Sequence, residues 1–273
     1  MFRIEPKRKT KLMAAMEIAE VTYHATVRSA RGNHSNALFG LMFNILYSAI
    51  FIIALYVTMT LLGWRSNTFR GDFVLFLITG VSSYMTYNKT MKSVYSSEGP
   101  VSAMMLHAPM NTMVTIASAA LSSLYIQVLT IIVILFVYHV VFTPITINDP
   151  RFAVTMLLAA WIFGIATGLS LLALRPWAPK LAPLLLAIVS RVNIFASGKM
   201  MVGNQLSFTL LHLFSWNPLF HIIDQLRGAV FLNYNPRNSS IPYIFWVSFT
   251  LIAIGLMGEF FARKRVSISW FAR

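Results

Sequence analysis

Two cations stand where apolar residues would be cheaper. Arg191 and Lys199 interrupt the apolar run from Leu181 to Met201. A charge near the middle of a membrane helix costs about 2.5–3.5 kcal/mol on insertion scales, so both are expected to face protein or water. Eight residues apart, they sit about two turns, or about 12 Å, along one side of a helix. That side forms a cationic wall along a polar path, suited to an anionic substrate. Two plainer readings stay open: Lys199 reaching the outer headgroups, and Arg191 bonding a carbonyl on a neighbouring helix. His221, Asp224 and Arg227 recur at intervals of three after Asn217-Pro218, which lines them along one side of a helix. Asp224 is placed to bond both neighbours and so fix the segment. A structural brace and a substrate contact are equally compatible with that spacing. A third set is Glu98-Gly99-Pro100, the apolar stretch Val101–Leu106 with Met104 and Met105, and His107-Ala108-Pro109. A short amphipathic helix bounded by proline suits docking into a groove of a soluble partner; an ordinary capped loop is the alternative.

Other chemistry is missing. The chain has no cysteine, which excludes disulfides, thiolate metal sites and cysteine nucleophiles. Ser197-Gly198-Lys199 resembles the end of a phosphate-binding loop, but Asn193 stands where the first glycine is required and Met200 follows the lysine. ATP hydrolysis is therefore not expected on this chain, nor is a bound cofactor or metal. No metalloprotease, nucleophile-elbow or paired-carboxylate pattern occurs. A membrane-embedded glycan- or lipid-modifying enzyme lacks the polar catalytic cluster it needs.

The elements that must position these residues are membrane helices. Of 273 residues 57% are hydrophobic and 11% charged, whereas a soluble domain carries about 25% charged residues. Apolar runs at about 38–63, 73–88, 113–142, 152–174, 181–201 and 243–261 predict an all-α integral membrane protein with six transmembrane helices, since a span needs about 20 such residues. Residues 1–37 form a cytoplasmic basic tail and an amphipathic helix over 12–31, with Leu12, Met16, Ala19, Tyr23 and Val27 on one stripe. That helix is expected to lie in the headgroup plane. No cleavable signal peptide is expected, because charged residues fill the lead-in and the first apolar run is too long. Between the fifth and last runs, 206–213 and 219–230 are apolar but too short to cross. Broken at Asn217-Pro218, they predict re-entrant or interfacial half-helices tolerated only against protein or water, or a folded extracytoplasmic loop.

Charge supplies the orientation. The 22 Lys and Arg outnumber 8 Asp and Glu, and basic residues at span ends facing anionic headgroups account for this better than nucleic-acid binding does. With the N-terminus inside, segments 1–37, 89–111, 175–180 and 263–273 hold fifteen Lys and Arg, against five in 64–71, 143–151 and 202–241. This bias puts both termini in the cytoplasm, the last eleven residues forming a second basic tail. The transmembrane domain then covers 38–262.

The stretch from Arg191 to Phe231 reads RVNIFASG and then WNPLFHIIDQLRGAVF. It resembles the membrane subunit of bacterial ABC-2-type polysaccharide exporters, most closely the capsular polysaccharide export permeases. The matching positions are Arg191, Phe195, Ser197, Gly198, Asn217, Pro218, His221, Asp224 and Arg227. Weaker echoes occur at Arg31-Gly32, Leu38-Phe39-Gly40, Thr79-Gly80 and Leu106–Met110. Departures are Met42-Phe43-Asn44, where the family usually has Trp and Pro, and Asp224, where Glu is common.

What the resemblance implies is a homodimer in the bacterial inner membrane, over two ATP-binding subunits that carry ATP and magnesium. Arg191, Lys199 and Phe195 would line the path of an anionic, lipid-linked polysaccharide. The 202–241 hairpin, with Asn217, Pro218, His221, Asp224 and Arg227, would form a periplasmic gate. The coupling helix would lie within about 94–109, carrying Glu98, Met104, Met105, His107 and Pro109. Periplasmic and outer-membrane export proteins would take the polymer onward, and membrane lipids surround the chain. The same machine with O-antigen, teichoic acid or another amphiphile as cargo is the alternative.

Overall fold

The computed structural model describes residues 11–31, 37–63, 71–97 and 112–271, and all regular structure among them is helical. The helices are α1 (Lys11–Arg31), α2 (Ala37–Leu61), α3 (Phe73–Tyr95), α4 (Thr112–Val141), α5 (Pro150–Leu174), α6 (Leu181–Ala196), α7 (Phe208–Phe214), α8 (Pro218–Val230) and α9 (Ile241–Phe271). Four of them, α2, α4, α5 and α9, are long and apolar enough to cross a membrane. The chain is a helical protein of multi-pass membrane character.

Three helix ends differ from the expected spans, each for a local reason. α3 runs on to Tyr95 instead of stopping at Asn88. Lys89, expected to open a loop, donates to the Asn44 side chain of α2, and Asn44 donates to Thr130 of α4 at 2.6 Å. The polar residues thus tie helices together. α6 stops at Ala196 instead of Met201, because Gly198 adopts a φ of +66°. A left-handed residue cannot continue a right-handed helix. α9 continues through Phe271, since nothing after Phe261 breaks it and Arg and Lys are good helix formers. The basic residues after 262 therefore extend the last helix instead of forming a separate tail. The two short helices flank Asn217-Pro218 as expected, and residues 98–111 lie outside the described residues.

α3 and α5 form the centre. Eighteen of the 23 residues of α3 are buried, among them Thr79, Ser82, Ser83, Thr86, Asn88 and Thr90. Wrapped in protein, α3 has no need of a lipid-facing apolar surface. On α5, Gly164 and Gly168 let the backbones meet: a Cβ on either would stand 2.7 Å from the carbonyls of Tyr87 and Met91 of α3. This small-xxx-small spacing favours close helix contact where packing must replace the hydrophobic effect. Trp161 donates to the Ala120 carbonyl of α4 at 2.8 Å, and Ser170 to the Leu251 carbonyl of α9 at 2.9 Å. α1 packs on α4, with Thr22, Ala25, Thr26, Ser29 and Ala30 half-buried, while Met16, Tyr23 and Val27 stay exposed. Met16, Ala19, Tyr23 and Val27 of the stripe expected to meet the headgroups are thus exposed.

Asp72 caps α3. Its carboxylate accepts the amides of Val74 (3.0 Å) and Leu75 (3.3 Å), the Thr143 hydroxyl (3.0 Å) and the Tyr138 hydroxyl. Burial pushes its pKa up, but these hydrogen bonds outweigh burial and hold it below the ordinary carboxylate range. A carboxyl with a depressed folded pKa stabilises the fold above its unfolded value of about 3.9 and loses that stabilisation as pH falls through the folded value. Asp72→Asn keeps a capping oxygen but loses the charge on the acceptor. It is therefore expected to lower stability at neutral pH by about 1 kcal/mol, the difference between charged and neutral hydrogen bonds, and to flatten the acid limb of the melting curve. Equal acid sensitivity in the two proteins rejects this account.

Candidate functional site

α6 has two faces. Only Ala182, Ser190 and Asn193 are buried, and Leu184, Ile188 and Phe195 stand exposed together with Arg191. Residues 184, 188, 191 and 195 follow the spacing of a single helix stripe, so the guanidinium sits within an otherwise apolar outward face. Phe195, one turn further, is 70% exposed. Lys199 is not on this face. The turn at Gly198 sends it inward, where it is 1% exposed. The expected cationic wall of Arg191 and Lys199 is thus divided between the outside of α6 and the interior.

Inside, both buried cations lie on one stripe of α3, made by Phe76, Gly80 and Tyr84 at intervals of four. The Arg227 guanidinium stacks on Phe76, its carbon 3.7 Å from the ring centre. It donates to the carbonyls of Met201 (2.6 Å), Gly198 (3.3 Å) and Lys199. The Lys199 ammonium lies 3.5 Å from the Tyr84 ring centre and 4.5 Å from that of Phe51 on α2. Between them Gly80 leaves room for the turn: a Cβ there would come within 2.9 Å of the Lys199 carbonyl oxygen. Cation–π contacts of desolvated groups are worth about 2 kcal/mol. The turn 198–201 is therefore held to α3 by Arg227 from α8 and by its own lysine.

Asp224 does not bond His221 or Arg227 as the spacing suggested. It accepts from Tyr234 and from Ser239 (2.7 Å), both in the segment between α8 and α9. His221 Nε2 meets the Ser215 carbonyl at 2.7 Å, and Nδ1 accepts the Ser240 amide at 3.1 Å, which matches a neutral ring protonated on Nε2. The three residues share one helix side but each holds a different strand of chain. Pro218 opens α8, and Asn217 caps it by accepting from Leu219 (3.0 Å). The Asn217 amide also donates to Asn193 Oδ1 and to the Ala196 carbonyl, each at 2.8 Å. α8 is thereby stitched to the end of α6, and its apolar side (Leu219, Ile222, Ile223, Leu226) sinks into the core.

The spacing did not point to Phe51, Tyr84, Ser83, Ser190 or Asn193. The aromatic–glycine–aromatic repeat at 76, 80 and 84 is the one signal that could have found part of this set. Ser83, Ser190 and Ser197 hydroxyls and the Lys199 ammonium have no hydrogen-bond partner among the described residues. Glu98, Met104, Met105, His107 and Pro109 lie outside the described residues. Among the described residues no group of three His, Asp or Glu could hold a metal ion. No protein-family model matches the chain, and a search of curated proteins finds no significant match.

Proposed function

We propose that this chain is the membrane-spanning subunit of an ATP-driven exporter that moves an anionic, lipid-linked polysaccharide of the capsular type across the bacterial inner membrane. It works as a homodimer with two separate ATP-binding subunits, and both termini face the cytoplasm. α3 and α6 complete six spans with α2, α4, α5 and α9. The modest hydropathy of α3 is no obstacle, because neighbouring helices cover its polar residues. α6, with 16 residues, is about 24 Å long and reaches further through the turn after it.

The observation that carries this reading is Arg191, exposed within the apolar outward face of α6. A guanidinium there is costly against lipid. Against a second copy of the chain across a polar path, it meets an anionic polymer instead, with Phe195 one turn away as a surface for sugar rings. Lys199, pointing the other way, does not share that wall. The hairpin of α7 and α8, hydrogen-bonded to the end of α6, is suited to transmit movement of α6 to the outer mouth of the path.

Arg191→Ala is expected to reduce surface polysaccharide at least about tenfold, a loss of about 1.4 kcal/mol or more in path stabilisation, with the protein still inserted and assembled. Arg191→Lys should recover part of it, having the charge but not the planar donor fork. Unchanged surface polysaccharide in Arg191→Ala rejects the role.

A further inference from the structure

α6 is lightly held: few of its residues are buried, and Leu186, Val189 and Ile194 pack only half-buried against the core. Two of its three buried residues are Ser190 and Asn193. Facing them on α3 are Gly80, Ser83, Tyr84 and Tyr87, whose spacing of three to four puts them on one face. The Tyr84 hydroxyl donates to the Ser190 carbonyl at 3.2 Å, and the Asn193 amide donates to the Tyr87 hydroxyl at 3.3 Å. The Ser83 and Ser190 hydroxyls, Ser197 at the end of α6 and the Lys199 ammonium make no hydrogen bond among the described residues. A permanently closed contact between membrane helices is cheaper with alanine at each such serine and with no ammonium, because a buried polar group without a partner carries its full desolvation cost.

We infer that the seam between α3 and α6 is the closed form of a binding cleft for an acidic sugar, a hydroxyl-rich ligand carrying a carboxylate. The serines and Asn193 match sugar hydroxyls in hydrogen-bonding capacity. The face of Tyr84 is covered by Lys199 in this conformation. Movement of that side chain frees a stacking surface and presents one ammonium, which balances one carboxylate. The direct ties of Ser190 and Asn193 to α3 are two long hydrogen bonds, so this stretch of α6 can part from α3 while the turn 198–201 stays clasped by Arg227. This goes beyond the exporter reading, since the cleft lies within one protomer, on the side of α6 opposite Arg191, and its test needs neither ATP nor a partner subunit.

The absence of cysteine makes the test direct. Ser83→Cys, Ser190→Cys and, as an equally buried apolar control on α5, Ala160→Cys are placed singly in the full-length protein in lipid nanodiscs. Each is treated with a small water-soluble methanethiosulfonate. Melting temperatures are matched first, and Ser197→Cys replaces any seam variant that does not fold. The seam cysteines should react about tenfold faster than the control, and tetragalacturonate should slow them about tenfold at saturation while maltotetraose does not. Lys199→Met should abolish the difference between the two sugars. Seam cysteines as unreactive as Ala160→Cys, or labelling indifferent to tetragalacturonate, overturn the inference.

Discussion

Arg227→Ala is expected to destabilise the protein by about 3–5 kcal/mol, from buried carbonyls left without a donor and the cavity left behind. Arg227 is 1% exposed and its guanidinium serves three carbonyls of the turn 198–201. Truncation strands the Lys199 and Met201 oxygens, at about 1–3 kcal/mol for each one left unsatisfied, while the Gly198 oxygen keeps the Met201 amide. It also leaves a void beside Phe76, so local collapse recovers only part of the loss. Arg227→Lys keeps the charge, but one ammonium cannot span three carbonyls and stack flat on a ring. Lysine should therefore rescue little. The melting temperature of the detergent-purified protein, with the amount recovered from membranes, reads both effects. A melting temperature close to the parent's in Arg227→Ala contradicts the role of Arg227 as the clasp between α8, the turn and α3.

Lys199→Met is expected to do the opposite and raise stability by about 1–4 kcal/mol, the range seen when buried charge gives way to apolar side chains of similar volume. Two contributions compete. The cation–π contacts with Tyr84 and Phe51 favour the lysine by about 2 kcal/mol. Taking an ammonium out of water without a hydrogen bond or a carboxylate costs several kcal/mol. Desolvation wins, and methionine retains the contacts of the stem and favourable sulfur–aromatic packing. A gain in stability paired with a loss of transport identifies Lys199 as a residue kept for function at the expense of the fold. A fall in melting temperature in Lys199→Met shows instead that the lysine is a structural strut.

The elements were largely legible from apolar run lengths, because a bilayer-length helix leaves a strong signal. The break at Asn217-Pro218 was equally plain, since proline opens a helix and asparagine caps it. What hydropathy could not carry was direction. Arg191 and Lys199 are spaced for one helical face, yet a single left-handed glycine between them turns one outward and the other inward. Likewise the interval of three in His221, Asp224 and Arg227 placed them on one side of α8 but not against their partners. Those partners come from 198–201, 215 and 234–240, brought near only by the fold. Asp72 directly before an apolar run carries the usual mark of a helix N-terminus, but its partners Tyr138 and Thr143 lie far along the chain and leave no mark beside it. α3 reads short in the sequence for a related reason: its polar residues look like an ending when they are the inside of a bundle.

The most direct test of the exporter reading is the company the chain keeps. Mild-detergent purification of the tagged chain from native membranes, followed by quantitative mass spectrometry, should recover one ATP-binding subunit per copy of this chain. Recovery of the chain alone, or only with glycan-synthesis enzymes, contradicts the ATP-driven exporter.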